Sequence, residues 1–220
     1  MPRFTYVIFD LDGTILNTLE DLADATNWVC AQHGWPEHPL EAYKGFVGNG
    51  AGKLLERVTP STVELTGELR RQLMAEFSQR YTAHSANKTR AYDGMPETTA
   101  LLKAAGIRMA VLTNKPHDAA GPVVERYYPG VFDAVQGAVP GAPLKPDPTA
   151  LFALMERLGA GKDETLFVGD SNVDIRTGKN GGLTACGVLW GFRTREELAA
   201  EGADFIAERP EELAELVLGV

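Results

Sequence analysis

Close to the N-terminus the apolar run Tyr6-Val7-Ile8-Phe9 passes directly into Asp10-Leu11-Asp12-Gly13-Thr14. β-Branched and aromatic residues in so short a run predict a buried strand. The two carboxylates therefore stand where a strand ends, and in an α/β sheet ligands bind at the carboxyl edge of the strands. Residues two apart on extended backbone share a side, so Asp10 and Asp12 face one small site, and Gly13 permits a sharp backbone exit. One carboxylate of such a pair can attack while the other handles protons. A calcium-binding loop starting at Asp10 would want glycine at its sixth position, where the chain has Ile15.

Further strand signals follow at 108–112, 134–136, 165–168, 183–188 and 204–206, with helices expected over 117–127 and 148–158 and beginning near Val173, Thr194 and Pro210. This alternation of strand, turn and helix calls for an α/β protein: a Rossmann-like parallel sheet core with helices on both faces. Between the first strand and the next lie some seventy residues without a convincing strand. Leu19, Leu22, Ala23, Thr26, Val29 and Cys30 recur at helical spacing, Thr18 to Asp21 reads as a helix start, and Gly34 supplies a stop. A second long helix is expected over 67–84, where Leu69, Leu73, Phe77 and Tyr81 step by four. The glycine-rich stretch from Gly45 to Gly52 precedes a short helix carrying Lys53, Leu54, Leu55 and Arg57. The segment is too long for an ordinary crossover. Residues 17–89 therefore read as an inserted helical cap domain able to cover the site, leaving 1–16 and 90–220 for the catalytic core.

Three further clusters stand at or after predicted strand ends. Thr113-Asn114 offers a hydroxyl and an amide that can hold a phosphate oxygen, or a helix cap. Lys145 sits in the proline-stiffened Leu144-Lys145-Pro146-Asp147-Pro148, where its charge can neutralise a phosphate and a nucleophile. Gly169-Asp170-Ser171-Asn172-Val173-Asp174 brings two more carboxylates to the sheet edge. Four Asp side chains near one point repel, which implies a divalent cation, and all-oxygen ligation favours magnesium.

In this order and spacing the four motifs resemble those of the haloacid dehalogenase-like superfamily, specifically its magnesium-dependent phosphatases, over essentially the whole chain. Val111-Leu112-Thr113-Asn114-Lys115-Pro116, and Val47-Gly48-Asn49-Gly50 with Leu54 and Arg57, are similar to phosphoglycolate phosphatases. The resemblance implies that Asp10 attacks phosphorus to form an aspartyl-phosphate while Asp12 serves as acid and then base. It implies that Mg2+ is held by Asp10, the Asp12 backbone carbonyl and Asp170, with Asp174 ligating through water or orienting the others. Thr113, Asn114 and Lys145 would bind the transferring oxygens. The expected substrate is a small phosphorylated metabolite, foremost 2-phosphoglycolate, with Gly48, Asn49, Gly50, Arg57 and Lys115 as candidate contacts. Lys44, Lys53 and Arg193 are further cations that could meet its carboxylate. Alternatives are a sugar-phosphate phosphatase, a pyrophosphatase or a hexose phosphate mutase of the same superfamily, and, outside enzymes, an inactive binding protein on this fold. Asp12 argues against a metal-independent dehalogenase. The chain departs from the family at Gly178-Lys179-Asn180-Gly181-Gly182, where relatives more often carry alanines, which bears on helix packing.

Composition limits the remaining possibilities. A net charge of −9 and a pI near 5.0 argue against a nucleic-acid binder, while a cleft can still hold small anions where local cations and a metal reverse the field. The two cysteines, Cys30 and Cys186, read as buried free thiols. No basic leader precedes an apolar run and no stretch is long enough for a membrane span, so a cytoplasmic monomer or homodimer is expected. His33, His38, His84 and His117 show no metal-ligand spacing.

Overall fold

Residues 2–220 are described by a computed structural model. In chain order the elements are β1 (Tyr6–Phe9), β2 (Leu16–Asn17), α1 (Leu19–Gln32), α2 (Leu40–Phe46), α3 (Ala51–Val58), α4 (Gly67–His84), β3 (Arg90–Ala91), α5 (Met95–Ala104) and β4 (Arg108–Pro116). They continue as α6 (His117–Tyr127), β5 (Ala134–Ala138), α7 (Thr149–Leu158), β6 (Thr165–Gly169), α8 (Asn172–Gly181), β7 (Thr184–Val188), α9 (Arg195–Ala200), β8 (Phe205–Ala207) and α10 (Pro210–Leu218).

Six strands pair in the order β5-β4-β1-β6-β7-β8, all parallel. From β1 the chain builds β4 and β5 on one side, then crosses back to lay β6, β7 and β8 on the other. β1 is therefore the strand at which the winding reverses, and a crevice opens beyond its carboxyl end. Alternate side chains serve opposite faces. Val7, Phe9, Val111 and Val168 join one apolar layer, while Ile8, Ala110, Leu112 and Phe167 join the other with α7. The glycines of α8 have a packing cause: a Cβ at Gly178 would lie 3.1 Å from the Cβ atoms of Ala185 and Phe167, and one at Gly181 would lie 2.5 Å from Leu151 Cδ2. Here α8 approaches the sheet and α7 more closely than alanines would allow.

The helices α1 to α4 enclose a separate cluster that includes Leu22, Val29, Tyr43, Leu54, Leu73, Phe77 and Tyr81. Leu73, Phe77 and Tyr81 are its contribution from α4, at the spacing read in the sequence. The chain enters and leaves this segment through β2 and β3, which pair antiparallel, Leu16 with Ala91 and Asn17 with Arg90. The expected cap of α1 takes a different form. The Thr18 hydroxyl has no partner, and Asn17 Oδ1 accepts the Leu19 N–H at 3.3 Å. Asp21, read as a first-turn acid, instead accepts from Lys88 N at 3.0 Å, Thr89 N at 2.8 Å and Thr89 Oγ1 at 2.8 Å, clasping the returning chain. A second difference is the extension of β4 through Thr113-Asn114-Lys115 to Pro116. Its register against β5 slips between Leu112 and Pro116, so these three residues bulge out of the ladder at its carboxyl end. Among the described residues, no helix is long and apolar enough to cross a membrane.

Candidate active site at the carboxyl edge of the sheet

Asp10 directly follows β1, Asp170 directly follows β6, Asp174 lies in the first turn of α8, and Lys145 comes from the loop ahead of α7. The Lys145 ammonium ties its loop to β1, α8 and β4. Its Nζ donates to Asp10 Oδ1 at 2.7 Å, to Asp174 Oδ1 at 2.7 Å and to the Leu112 carbonyl at 2.9 Å. Asp174 Oδ2 accepts from Ser171 N at 3.0 Å and Ser171 Oγ at 2.6 Å, so the same carboxylate caps α8 and joins the cluster. Asp170 is fixed from both sides, by Thr14 Oγ1 at 3.0 Å and the Phe192 N–H at 2.9 Å. Gly13, at φ +96°, leaves the space this carboxylate occupies; a Cβ there would overlap it.

Asp10, Asp170 and Asp174 are buried, and one oxygen from each falls within 4.8 Å of the others. Burial, and then the Asp174 charge, push Asp10 up to about 7 against the opposing pull of Lys145. Burial followed by the charges of Asp174 and Asp10 holds Asp170 well above the ordinary carboxylate range. Burial works against the charge on Lys145, but Asp10 and Asp174 outweigh it and its pKa ends raised. Three buried carboxylates thus face a single ammonium, which bonds two of them, so negative charge is in excess in an all-oxygen nest. Those donors fit a divalent metal ion. The side chain of Asp12 lies outside this trio and turns to Lys115.

A cavity of about 310 Å³ opens from Asp10, Asp12, Thr113 and Lys115 toward Val47, Gly48, Gly50, Leu54, Phe77 and Tyr81 of the helical segment. Lys115 is the one Lys, Arg or His lining it among the described residues. Its Nζ donates to Asp12 Oδ1 and to Tyr81 Oη, both at 2.8 Å. Burial opposes the Lys115 charge, yet Asp12 and then Tyr81 more than offset this and its pKa is raised. Burial pushes the Tyr81 phenol up to about 12. Thr113 Oγ1 accepts from Lys115 N at 3.2 Å, which leaves its O–H free to donate. The Asn114 side chain is committed: Nδ2 donates to the carbonyls of Lys145 at 3.1 Å and Gly48 at 3.3 Å, and Oδ1 accepts from Lys145 N at 2.8 Å.

Other residues singled out in the sequence lie elsewhere. Arg57 donates to the Phe46 carbonyl at 2.7 Å, the Gly45 carbonyl at 3.3 Å and Asn49 Oδ1 at 2.8 Å. Neither Arg57 nor Asn49 is among the residues lining the cavity, whereas Gly48 and Gly50 are. Lys44 and Lys53 pair with Glu41 and Glu56 on the surface. His33 meets Glu76, His38 the Val58 carbonyl, His84 Arg80 and Asn87, and His117 the Gly137 N–H. Both cysteines are buried free thiols, and burial pushes Cys30 up to about 11 and Cys186 up to about 12. Tyr81 was legible only as one more residue of an apolar stripe; its hydroxyl, the polar tip on a Leu-Leu-Phe-Tyr series, was the signal. Thr14 and Phe192 left no such signal, since each is set by the approach of Asp170.

Comparison with known proteins agrees with this geometry. Residues 7–188 match the model of the haloacid dehalogenase-like hydrolase family. The chain is 34% identical over 221 residues to a phosphoglycolate phosphatase of Mannheimia succiniciproducens, covering 98% of this chain and 99% of that protein. It is 33% identical over 212 residues to a phosphoglycolate phosphatase of Pseudomonas putida, covering 94% and 77%. A crystal structure of a predicted phosphoglycolate phosphatase from Haemophilus somnus superposes with a TM-score of 0.90 at 28% identity, covering 98% of this chain and 99% of that one. With the fold, the four carboxylates and the family match together, the chain belongs to the haloacid dehalogenase-like hydrolases and is a phosphoric monoester hydrolase resembling phosphoglycolate phosphatases.

Proposed function

We propose that the chain hydrolyses a small phosphomonoester that carries a second anionic group, foremost 2-phosphoglycolate, with Mg2+ as its divalent cation. The observation that carries this reading is Lys115: a buried ammonium at the cavity wall, 2.8 Å from Asp12, where it can meet a carboxylate attached close to the phosphate. The opposite wall is mainly apolar, with Val47, Leu54 and Phe77, and gives a polyhydroxylated sugar few partners for its hydroxyls. The names of the relatives point the same way.

Lys145 holds Asp10 Oδ1, so Oδ2 is the oxygen left to attack phosphorus. The new Asp10–phosphorus bond forms as the bond to the leaving oxygen breaks, and Asp12 gives that oxygen its proton. Asp12 then takes a proton from water as the water displaces Asp10, which frees inorganic phosphate and restores the Asp10 carboxylate and the Asp12 carboxylic acid. Asp10, the Asp12 carbonyl and Asp170, with Asp174 beside them, would hold the cation, whose charge lets an anionic nucleophile approach an anionic ester. Thr113, the Asn114 backbone and Lys145 would receive the transferring oxygens. In this reading residues 17–89 act as a cap on a core of 1–16 and 90–220, and the β2–β3 pair forms the joint.

The test is phosphate release from phosphoglycolate, sugar phosphates, nucleotides and pyrophosphate, each with magnesium and with chelator. Expected is magnesium-dependent turnover with kcat/KM for phosphoglycolate at least about tenfold above the sugar phosphates. Preference for a sugar phosphate or pyrophosphate would overturn the substrate assignment. No release from any substrate would favour the inactive binding protein.

A further inference from the structure

In the six-residue connection between β7 and α9, the four residues Trp190 to Arg193 reach both the carboxylate nest and the helical segment. Trp190 Nε1 donates to the Thr14 carbonyl at 2.8 Å, and the Phe192 N–H donates to Asp170 at 2.9 Å. Gly191 lies so close that a Cβ would overlap the Asp170 side chain and come within 2.5 Å of the Gly13 carbonyl. The next two side chains turn the other way. Phe192 packs against the cluster enclosed by α1 to α4, and the Arg193 guanidinium donates to the carbonyls of Lys44 and of Val47, the latter at 3.0 Å.

These carbonyls belong to the end of α2, which has no intrahelical partners for them. Two arginines divide the work: Arg57, from within the segment, takes Gly45 and Phe46, while Arg193, from the sheet side, takes Lys44 and Val47. Positive charge there also complements the helix dipole. Immediately beyond Val47 come Gly48, whose carbonyl accepts from Asn114 at 3.3 Å, and Gly50, both on the cavity wall.

We propose that Arg193 is a positioning residue: it seats the Gly48–Gly50 loop over the cavity and, through the Phe192 backbone, links that seat to Asp170. The proposal rests on the phosphatase reading of the site. A substrate enclosed by the loop binds the seated form, so unseating the loop weakens apparent binding in proportion to the fraction lost. The link is reciprocal: an ion bound at Asp170 and a seated loop favour one another.

The test compares the full chain with Arg193→Ala and Arg193→Lys. In Arg193→Ala the KM for phosphoglycolate should rise about tenfold, the scale of one charged hydrogen bond, with kcat within about threefold. Arg193→Lys, which keeps a donor, should recover part of the loss and serves alone if the alanine variant does not fold. By hydrogen exchange, peptides covering 40–58 should exchange faster in the variants while those of α4 and β1 stay as they were. Magnesium alone should slow exchange over 40–58 in the parent and not in Arg193→Ala. An unchanged KM, faster exchange throughout α1 to α4, or a parent whose 40–58 segment ignores magnesium would overturn the proposal. A parent that releases phosphate from no substrate would instead overturn the phosphatase reading.

Discussion

The sheet edge and the helical segment hold their lysine–carboxylate pairs in opposite ways. At the sheet edge Asp10, Asp170, Asp174 and Lys145 are buried, and their partners come from β1, β4, α8 and the loops beside them. In the helical segment the ion pairs Lys44–Glu41, Lys53–Glu56 and Arg70–Glu56 lie open to solvent, where screening leaves such pairs worth little. The difference separates two tasks. In the proposed reading, groups that meet the reacting phosphorus are fixed by buried contacts to the sheet, whereas the wall that would meet the rest of the ester is carried by a glycine loop held through single hydrogen bonds. Lys115 joins the two, with one donor to Asp12 and one to Tyr81.

The hardest test of this division is Asp10→Asn. It should lower kcat by roughly a thousandfold or more, the scale for losing a nucleophile, while the circular dichroism spectrum stays native. Substantial residual turnover in the purified variant would remove Asp10 from its role. Next in size is Lys145→Met, which strands buried carboxylates and should cost about 3–5 kcal/mol of unfolding free energy near pH 8. The loss should shrink toward pH 5, where Asp10 and Asp170 take up protons. The sign follows from their raised pKa values: the folded state keeps protons that the unfolded chain releases. Without metal, the Tm of the parent should therefore fall as pH rises from about 4 toward 7, and magnesium should restore it at neutral pH. A metal-free Tm that climbs over that range would show that the nest is not strained by its own charge. The smallest effect belongs to the helical side. Tyr81→Phe deletes the acceptor of Lys115 and should raise KM by about threefold with kcat unchanged; equal loss in kcat would mean that Tyr81 acts on the chemistry and not on the substrate.

What could be read from the sequence follows the same line. The strands announce themselves by apolar runs, and each of Asp10, Asp170 and the Thr113 bulge is found by looking where a run stops. Asp174 and Lys145 were placed beside them by motif order. The two-residue strands β2 and β3 are too short to show a period, and α2 offers only seven residues. The partners of Arg57, Asn114 and Arg193 are chiefly main-chain carbonyls, which every residue possesses, so no sequence pattern can name them. The glycines of α8 carried information that was legible only as a departure from alanine; their cause is the proximity of Ala185, Phe167 and Leu151.

The joint at β2 and β3 has a consequence for descent. Because Leu16 pairs with Ala91 and Asn17 with Arg90, the two crossings leave the sheet side by side, and Asp21 clasps the second of them. To the sheet, whatever lies between those crossings is one closed loop, and the entropic cost of closing a longer loop grows only slowly with its length. A lineage could lengthen, trim or exchange the intervening helices and so reshape the far wall of the cavity, while the carboxylates at the sheet edge are inherited unchanged.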